Sequence, residues 1–290
     1  DLNYIGATER ETMLAERPKL ELALQAVCGR EGLAVKDLPS EHAGGKWRLT
    51  YAAASGRSGN LELDVNYLLR TPLWPAELAD SRPVGSFQAT QVRLLDLHEL
   101  AAGKLAALLS RNASRDIFDA VELLGREDLD RAKLRLGFVV YGGANRKDWR
   151  TVSVKDVKLN AAELKSQLLP TLRPGALPKA RVRALVSDCR GLLSAVLPLT
   201  RDEREFIDRL NERGEIVPEL LTDDGAMGKA IQQHDAAWSA LGDEVGPVVH
   251  LGQPAANEAI VVARCRLRVG DIGEAPGRPE HPDVQRKRVV

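Results

Sequence analysis

KLAALLSRNASRDIFD, residues 104–119, sets basic and acidic side chains at regular intervals through an otherwise apolar helical pattern. At about 100° per residue, Lys104, Leu108, Arg111 and Arg115 fall within a sector of about 60°. One unbroken helix would therefore line three cations along a single face. The NAS triplet at 112–114 offers another reading, a turn in which Ser114 caps a second helix, RDIFDAVELLGR. Asp116 then lies in a first helical turn, where the backbone dipole favours negative charge, and Asp119 follows one turn later on the same face. On either reading a basic stripe meets a pair of carboxylates. Geometry alone leaves open whether this is a surface network of ion pairs or a site for an anion.

Working outward, DLHELAAGKLAALLSR places Asp96 and Glu99 at capping-box spacing ahead of the first helix, which runs to about Arg111. Upstream, DLNYIGA alternates around Tyr4 and Ile5 as a short strand ending at Gly6. RETMLAER and PKLELALQAVCGREG read as a helix restarted at Pro18 and closed at Gly29 or Gly32. The turn-rich SGRSG separates Trp47–Ala53 from Asn60–Leu69, which suggests a β-hairpin, and the strand signal fades after RTPLWP. Downstream, FVVYGG reads as an isolated strand, with Gly142-Gly143, like Gly44-Gly45, as turns. From Val152 the pattern is helical, with a capping box at Thr200 and Glu203. The expected class is α+β, divided as residues 1–92, a helical part 93–242, and an irregular tail 243–290 rich in Pro, Gly and Arg.

Of the 290 residues, 44% are hydrophobic and 28% charged, a composition that supports a soluble globular chain with a sizeable core. No apolar run approaches the roughly 20 residues of a membrane span and no signal-peptide pattern opens the chain, so a cytoplasmic location is expected. Cys28, Cys189 and Cys265 are odd in number and widely spaced, which fits reduced thiols better than a disulfide framework or a zinc site. The five histidines show no ligand spacing either. Formal net charge is zero, yet residues 131–213 hold 18 Lys/Arg against 9 Asp/Glu. Such clustering is the footprint of a polyanion partner or of a solvated helical surface.

Three motifs occur in one order: Asp1-Leu-Asn-Tyr-Ile-Gly, Lys104-Leu-x-Ala-Leu, and Arg115-Asp-x-x-Asp119. Together with IQQHDAAW at 231–238 they resemble the later motifs of the AbiEii/AbiGii nucleotidyltransferase-like toxins, over roughly residues 1–242. The resemblance implies a polymerase-β-like mixed-sheet lobe, truncated at its N-terminus, joined to a mainly helical lobe. It also implies transfer of a nucleotide from an NTP to RNA, often the 3′ end of tRNA, in toxin–antitoxin or abortive-infection systems with a cognate antitoxin as partner.

By the same resemblance, Asp1 matches the second carboxylate of an Asp-x-Asp pair that holds Mg2+, a spacing that puts both carboxylates on one strand face. Asp64, within Leu63-Asp64-Val65, is a candidate third carboxylate or simply a solvent-facing strand residue. Lys104 would contact the NTP phosphates, and Asp116 would act as base or polar orienter. Arg111 and Arg115 would add phosphate contacts, with Asp119 ordering Arg115 or the motif backbone. The family's Gly-Gly or Gly-Ser turn and the preceding Asp would lie ahead of Asp1. Two readings stay open, a nucleotidyltransferase toxin and a non-catalytic remnant that binds nucleotide, RNA or an antitoxin.

Overall fold

The computed structural model describes residues 2–7, 9–38, 44–53, 56–234 and 260–263. Seven strands form one mixed sheet in the order β2-β3-β4-β1-β7-β6-β5. These are β1 (Leu2–Ile5), β2 (Ala34–Asp37), β3 (Gly44–Ala52), β4 (Ser58–Asn66), β5 (Glu77–Ala79), β6 (Val92–Leu94) and β7 (Ile260–Ala263). The β3–β4 hairpin read from the sequence is the longest ladder, with Lys46 opposite Asp64 and Trp47 opposite Leu63. Strand β1 runs parallel to β4, with Leu2 opposite Val65 and Asn3 opposite Asn66.

Because side chains alternate across a strand, this register sorts the sheet into two faces. Tyr4, Trp47, Leu49 and Val65 point one way and bury themselves with Met13 and Cys28 of α1 (Arg10–Arg30). Asn3, Lys46, Asp64 and Asn66 occupy the opposite, polar face. Helix α1 is continuous and carries Pro18 in its interior, rather than restarting there as its fixed φ suggested. The residues on either side, from Met13 to Leu24, are mostly good helix formers and hold the helix across the missing N–H donor.

The helical part comprises α2 (Leu97–Arg111), α3 (Ser114–Leu124), α4 (Arg131–Gly143), a short α5 (Ala161–Glu163), α6 (Lys179–Leu192), α7 (Arg201–Arg213) and α8 (Gly225–Gln233). Its core gathers Leu105, Leu108, Ile117, Phe138, Trp149, Leu185 and Phe206, all essentially inaccessible to solvent. Thr200 and Glu203 form the reciprocal cap expected of them, closing the first turn of α7.

Several local readings are corrected. FVVYGG is not a strand but the C-terminal half of α4, where Phe138 to Gly143 are all buried. A helix enclosed on every side loses the amphipathic period that would have marked it. Gly142 is likewise no turn residue: a Cβ there would lie 1.9 Å from Trp149 Nε1, so only glycine lets that indole pack onto α4. The strand signal does not end at RTPLWP, since β5 and β6 follow, each only three residues long and too short to show alternation. Ser114 is the first residue of α3, not its cap. Its hydroxyl donates to the Asn160 carbonyl and accepts from the Asn160 N–H.

Cys28 and Cys189 are buried free thiols, while Cys265 lies outside the described residues. So do Asp1, Trp238 and, apart from β7, the tail from residue 243. Among the described residues no helix is long and apolar enough to cross a membrane.

Candidate active site

The charges of residues 104–119 are explained by a helical corner. Helix α2 ends at Asn112, whose left-handed backbone, φ 53° and ψ 41°, turns the chain into α3. The Asn112 side chain fastens this turn by donating to the Lys158 carbonyl and accepting from the Lys158 N–H. The two helices then fold against each other and their charges match in reverse order. Lys104, two turns from the end of α2, donates to Asp119 at 2.7 Å. Arg111, in the last turn of α2, grips Asp116 with two bonds, Nε to Oδ2 at 2.7 Å and Nη2 to Oδ1 at 2.8 Å. Of the two alternatives raised by the sequence, the broken helix is the one that forms.

The two pairs differ in setting. The Asp116 side chain is fully buried, and Arg111 reaches it from a position about half exposed. The Arg111 guanidinium is held above its ordinary pKa, first by its hydrogen bond to Asp116. Lys104 and Asp119 are both partly open to solvent. Arg115 Nε lies 4.0 Å from Asp116 Oδ1. The N-terminus of α3 is also occupied: Glu163 Oε2 accepts from the Ser114 N–H at 3.0 Å.

Asp64 belongs to the other part of the molecule. It stands on the polar face of β4, partly exposed and opposite Lys46, whose amine bonds Glu62 at 3.0 Å. Val65, its neighbour, pairs with Leu2, the residue that follows Asp1 in sequence. On the same face Asn3 is 1% exposed, and among the described residues neither amide atom has a hydrogen-bond partner. An unpaired buried amide costs roughly 1–3 kcal/mol and points to a ligand or ordered water. Sequence reading passed over Asn3, although its spacing of two from Asp1 was the available signal. Among the described residues no group of three or more His, Cys, Asp or Glu side chains is placed to hold a metal ion. The oxygen donors of Asp64 and Asn3 are nonetheless of the hard type that suits Mg2+.

A second overlooked residue is Glu99. Rather than closing a capping box with Asp96, it turns inward and is completely buried. Its carboxylate accepts from Tyr141 Oη at 2.7 Å and from the Leu73 and Trp74 N–H groups at 3.1 and 3.5 Å. Burial pushes its pKa up to about 7, with these hydrogen bonds pulling against the rise. Glu99 thus ties α2, five residues before Lys104, to the segment that leaves the sheet after β4.

A family described as Nucleotidyl transferase AbiEii toxin, Type IV TA system, matches residues 1–212. The chain belongs to the AbiEii nucleotidyltransferase toxin family. The match spans the β1–β4 polar face and the whole α2–α3 corner. Among solved structures, the AbiEii chain is similar to MenT4, a nucleotidyltransferase toxin from Mycobacterium tuberculosis H37Rv, with a TM-score of 0.49 and 15% identity over 81% of this chain and 75% of that one. Comparison with curated proteins finds no match.

Proposed function

We propose that this chain is the catalytic body of a nucleotidyltransferase toxin that moves a nucleotide from an NTP to an RNA 3′-hydroxyl, with tRNA as the acceptor class. The observation that carries the reading is the α2–α3 corner, which holds Lys104 and Arg111 on one helix face, in a chain matched by the family from residue 1 to 212. We take residues 1–92 as the nucleotidyltransferase-like part, 93–242 as the helical part and 243–290 as an appended tail.

Asp64 and the Asn3 amide, with Asp1 two residues before Asn3 in sequence, are the residues that would hold Mg2+, which would neutralise triphosphate charge when bound. Lys104 is a compact cation whose bond to Asp119 is open enough to be exchanged for a phosphate oxygen. Arg115 adds positive charge at the start of α3. Arg111 and Asp116 hold the corner's shape, so Asp116 acts by orienting Arg111 and not as the base. The acceptor hydroxyl attacks the α-phosphorus in line, giving its proton to solvent as the O–P bond forms, and the bond to pyrophosphate breaks so that it leaves. The family's type IV toxin–antitoxin setting supports a cognate antitoxin as the expected partner, and we take the cytoplasm as the site of action.

The test is incubation of the chain with each labelled NTP, Mg2+ and a total tRNA pool. Incorporation abolished by Lys104→Ala supports the reading; no incorporation with any NTP overturns it. A second reading, a nucleotide- or RNA-binding protein without transferase activity, is favoured by one observation: Asp116, the motif carboxylate, is fully buried and engaged by Arg111. NTP binding without incorporation would select it.

A further inference from the structure

Phe87 is the outlier of the molecule. Aromatic residues make up only 4% of the chain. Tyr4, Trp47, Tyr67, Phe138, Trp149 and Phe206 are fully buried, yet the Phe87 ring is 80% exposed. Among the described residues it is the only aromatic side chain in the exposed class. Such exposure would be unremarkable on a loose loop, but the segment is built. Ser81 N–H donates to the Ala89 carbonyl at 2.8 Å, and Val84 and Phe87 exchange both backbone bonds, at 2.8 and 3.1 Å. Gly85, at φ 60°, takes the first central position of the resulting two-residue turn, where a hairpin needs a positive φ. Side chains tighten the stem: Ser81 Oγ accepts from the Ala89 N–H, Gln88 donates to the Ser81 carbonyl, and Asp80 accepts from the Gln91 N–H. The arm springs from β5 and returns through β6, which leads within two residues into α2, the helix of Lys104 and Arg111.

Its chemistry is as selective as its shape. From Ser81 to Leu95 there is no carboxylate, while Arg82 and Arg93 are both exposed, together with Gln88 and Gln91. A flat ring presented to solvent on an arm that carries two exposed arginines and two exposed glutamines, with the Asp80 carboxylate at its base turned onto the Gln91 N–H, matches an unpaired nucleic-acid segment. Bases stack on the ring whatever their sequence, and arginine contacts the phosphates or adjoining bases. A purely apolar protein interface would not call for that charge bias.

We infer that the arm around Phe87 is a docking platform on which an unpaired base of the RNA acceptor stacks. This rests on the proposed transfer to RNA and adds to it where the acceptor is held. The ring grips the acceptor outside the nucleotide site, so it sets acceptor affinity and leaves NTP binding alone.

The experiment is fluorescence anisotropy with the full chain and a short labelled RNA, single-stranded in one arm and fully paired in the other. Phe87→Ala and Phe87→Leu should each weaken single-strand binding by roughly 5- to 150-fold, the range of one lost stacking contact, whereas Phe87→Tyr retains it. Paired RNA should bind all variants alike. In a Phe87→Trp variant, single-stranded RNA should quench the new indole's fluorescence. Because Phe87 packs against little, these variants keep the parental melting temperature. Wild-type affinity unchanged in Phe87→Ala overturns the platform and leaves the RNA reading standing. Affinity restored by Phe87→Leu also overturns it, since that marks an apolar contact of the kind a protein partner makes. Wild-type chain that binds neither RNA form removes both the platform and the RNA acceptor.

Discussion

The polar face of β4 and the α2–α3 corner both carry carboxylates, yet they use them in opposite ways. On the sheet, Asp64 stands partly open opposite Lys46, whose amine is drawn to Glu62, and among the described residues the nearby Asn3 amide is left without a partner. At the corner Asp116 and Asp119 each have a cation bonded to them, and Asp116 is closed off from solvent altogether. A charge meant for a ligand must be left incompletely satisfied, whereas one that shapes a fold must be satisfied within it. On the function proposed above, the sheet face would carry the chemistry and the inner half of the corner the architecture. Lys104 and Asp119 lie between these extremes.

The sharpest break in that comparison is Asp64→Asn. If Asp64 holds Mg2+ as proposed, its loss removes several kcal/mol of transition-state stabilisation, so nucleotide incorporation should fall by on the order of 100- to 1000-fold while the melting temperature hardly moves. A clear drop in melting temperature with activity retained would make Asp64 a structural residue and erase the contrast.

Glu99 joins the two regions, and its proton reports on the junction. Its folded-state pKa of about 7 is above the ordinary 4.5, so the folded chain binds this proton more tightly than the unfolded chain. Stability from this group is fully present below pH 4.5 and is lost as pH rises through 7, by up to about 3 kcal/mol. The groups that face it are Tyr141 from α4, the Leu73 and Trp74 N–H groups, and Asp96, whose negative charge also favours the proton. Denaturant melts at several pH values should show this slope in the parent and its loss in Glu99→Gln. An unchanged slope in Glu99→Gln would place the titration elsewhere.

Asp116→Ala comes next. It removes a charged two-bond contact and leaves a small void, but Arg111 is half exposed and returns to water. The expected cost is about 2–3 kcal/mol, or roughly 5–10 °C in melting temperature. NTP affinity per folded molecule should stay near the parental value. If affinity fell with stability unchanged, Asp116 would belong to the ligand site.

How far the sequence carried this picture depended on whether a signal was local. The β3–β4 hairpin, the Thr200–Glu203 cap and the NAS turn each rest on a few adjacent residues, and each was legible. The polar face could also be read, because a period of two separates Asp64 from Leu63 and Val65 without knowledge of the sheet order. What escaped was set by distant partners. Ser114 was read as a cap because the loop ending at Asn160, which takes its hydroxyl, is far along the chain. FVVYGG looked extended because burial from several sides hid the helical period. The pairing of Lys104 with Asp119 depended on the angle at Asn112, which the spacing of charges alone did not fix.

The smallest effect concerns that pair and decides whether the corner has one role or two. Lys104 and Asp119 are each about a quarter to a third exposed, so their attraction is screened by water and salt. A double-mutant cycle of Lys104→Ala and Asp119→Ala should give a coupling of about 0.2–1 kcal/mol that shrinks as salt is raised. The Arg111–Asp116 pair, closed off on the carboxylate side, should couple more strongly and resist salt. A weak coupling is what a phosphate-binding lysine requires, since a triphosphate oxygen can then displace Asp119 at little cost. A Lys104–Asp119 coupling above about 2 kcal/mol, insensitive to salt, would place Lys104 with Arg111 as a structural cation. The nucleotide contact would then have to come from elsewhere on the corner, with Arg115 the next side chain to test.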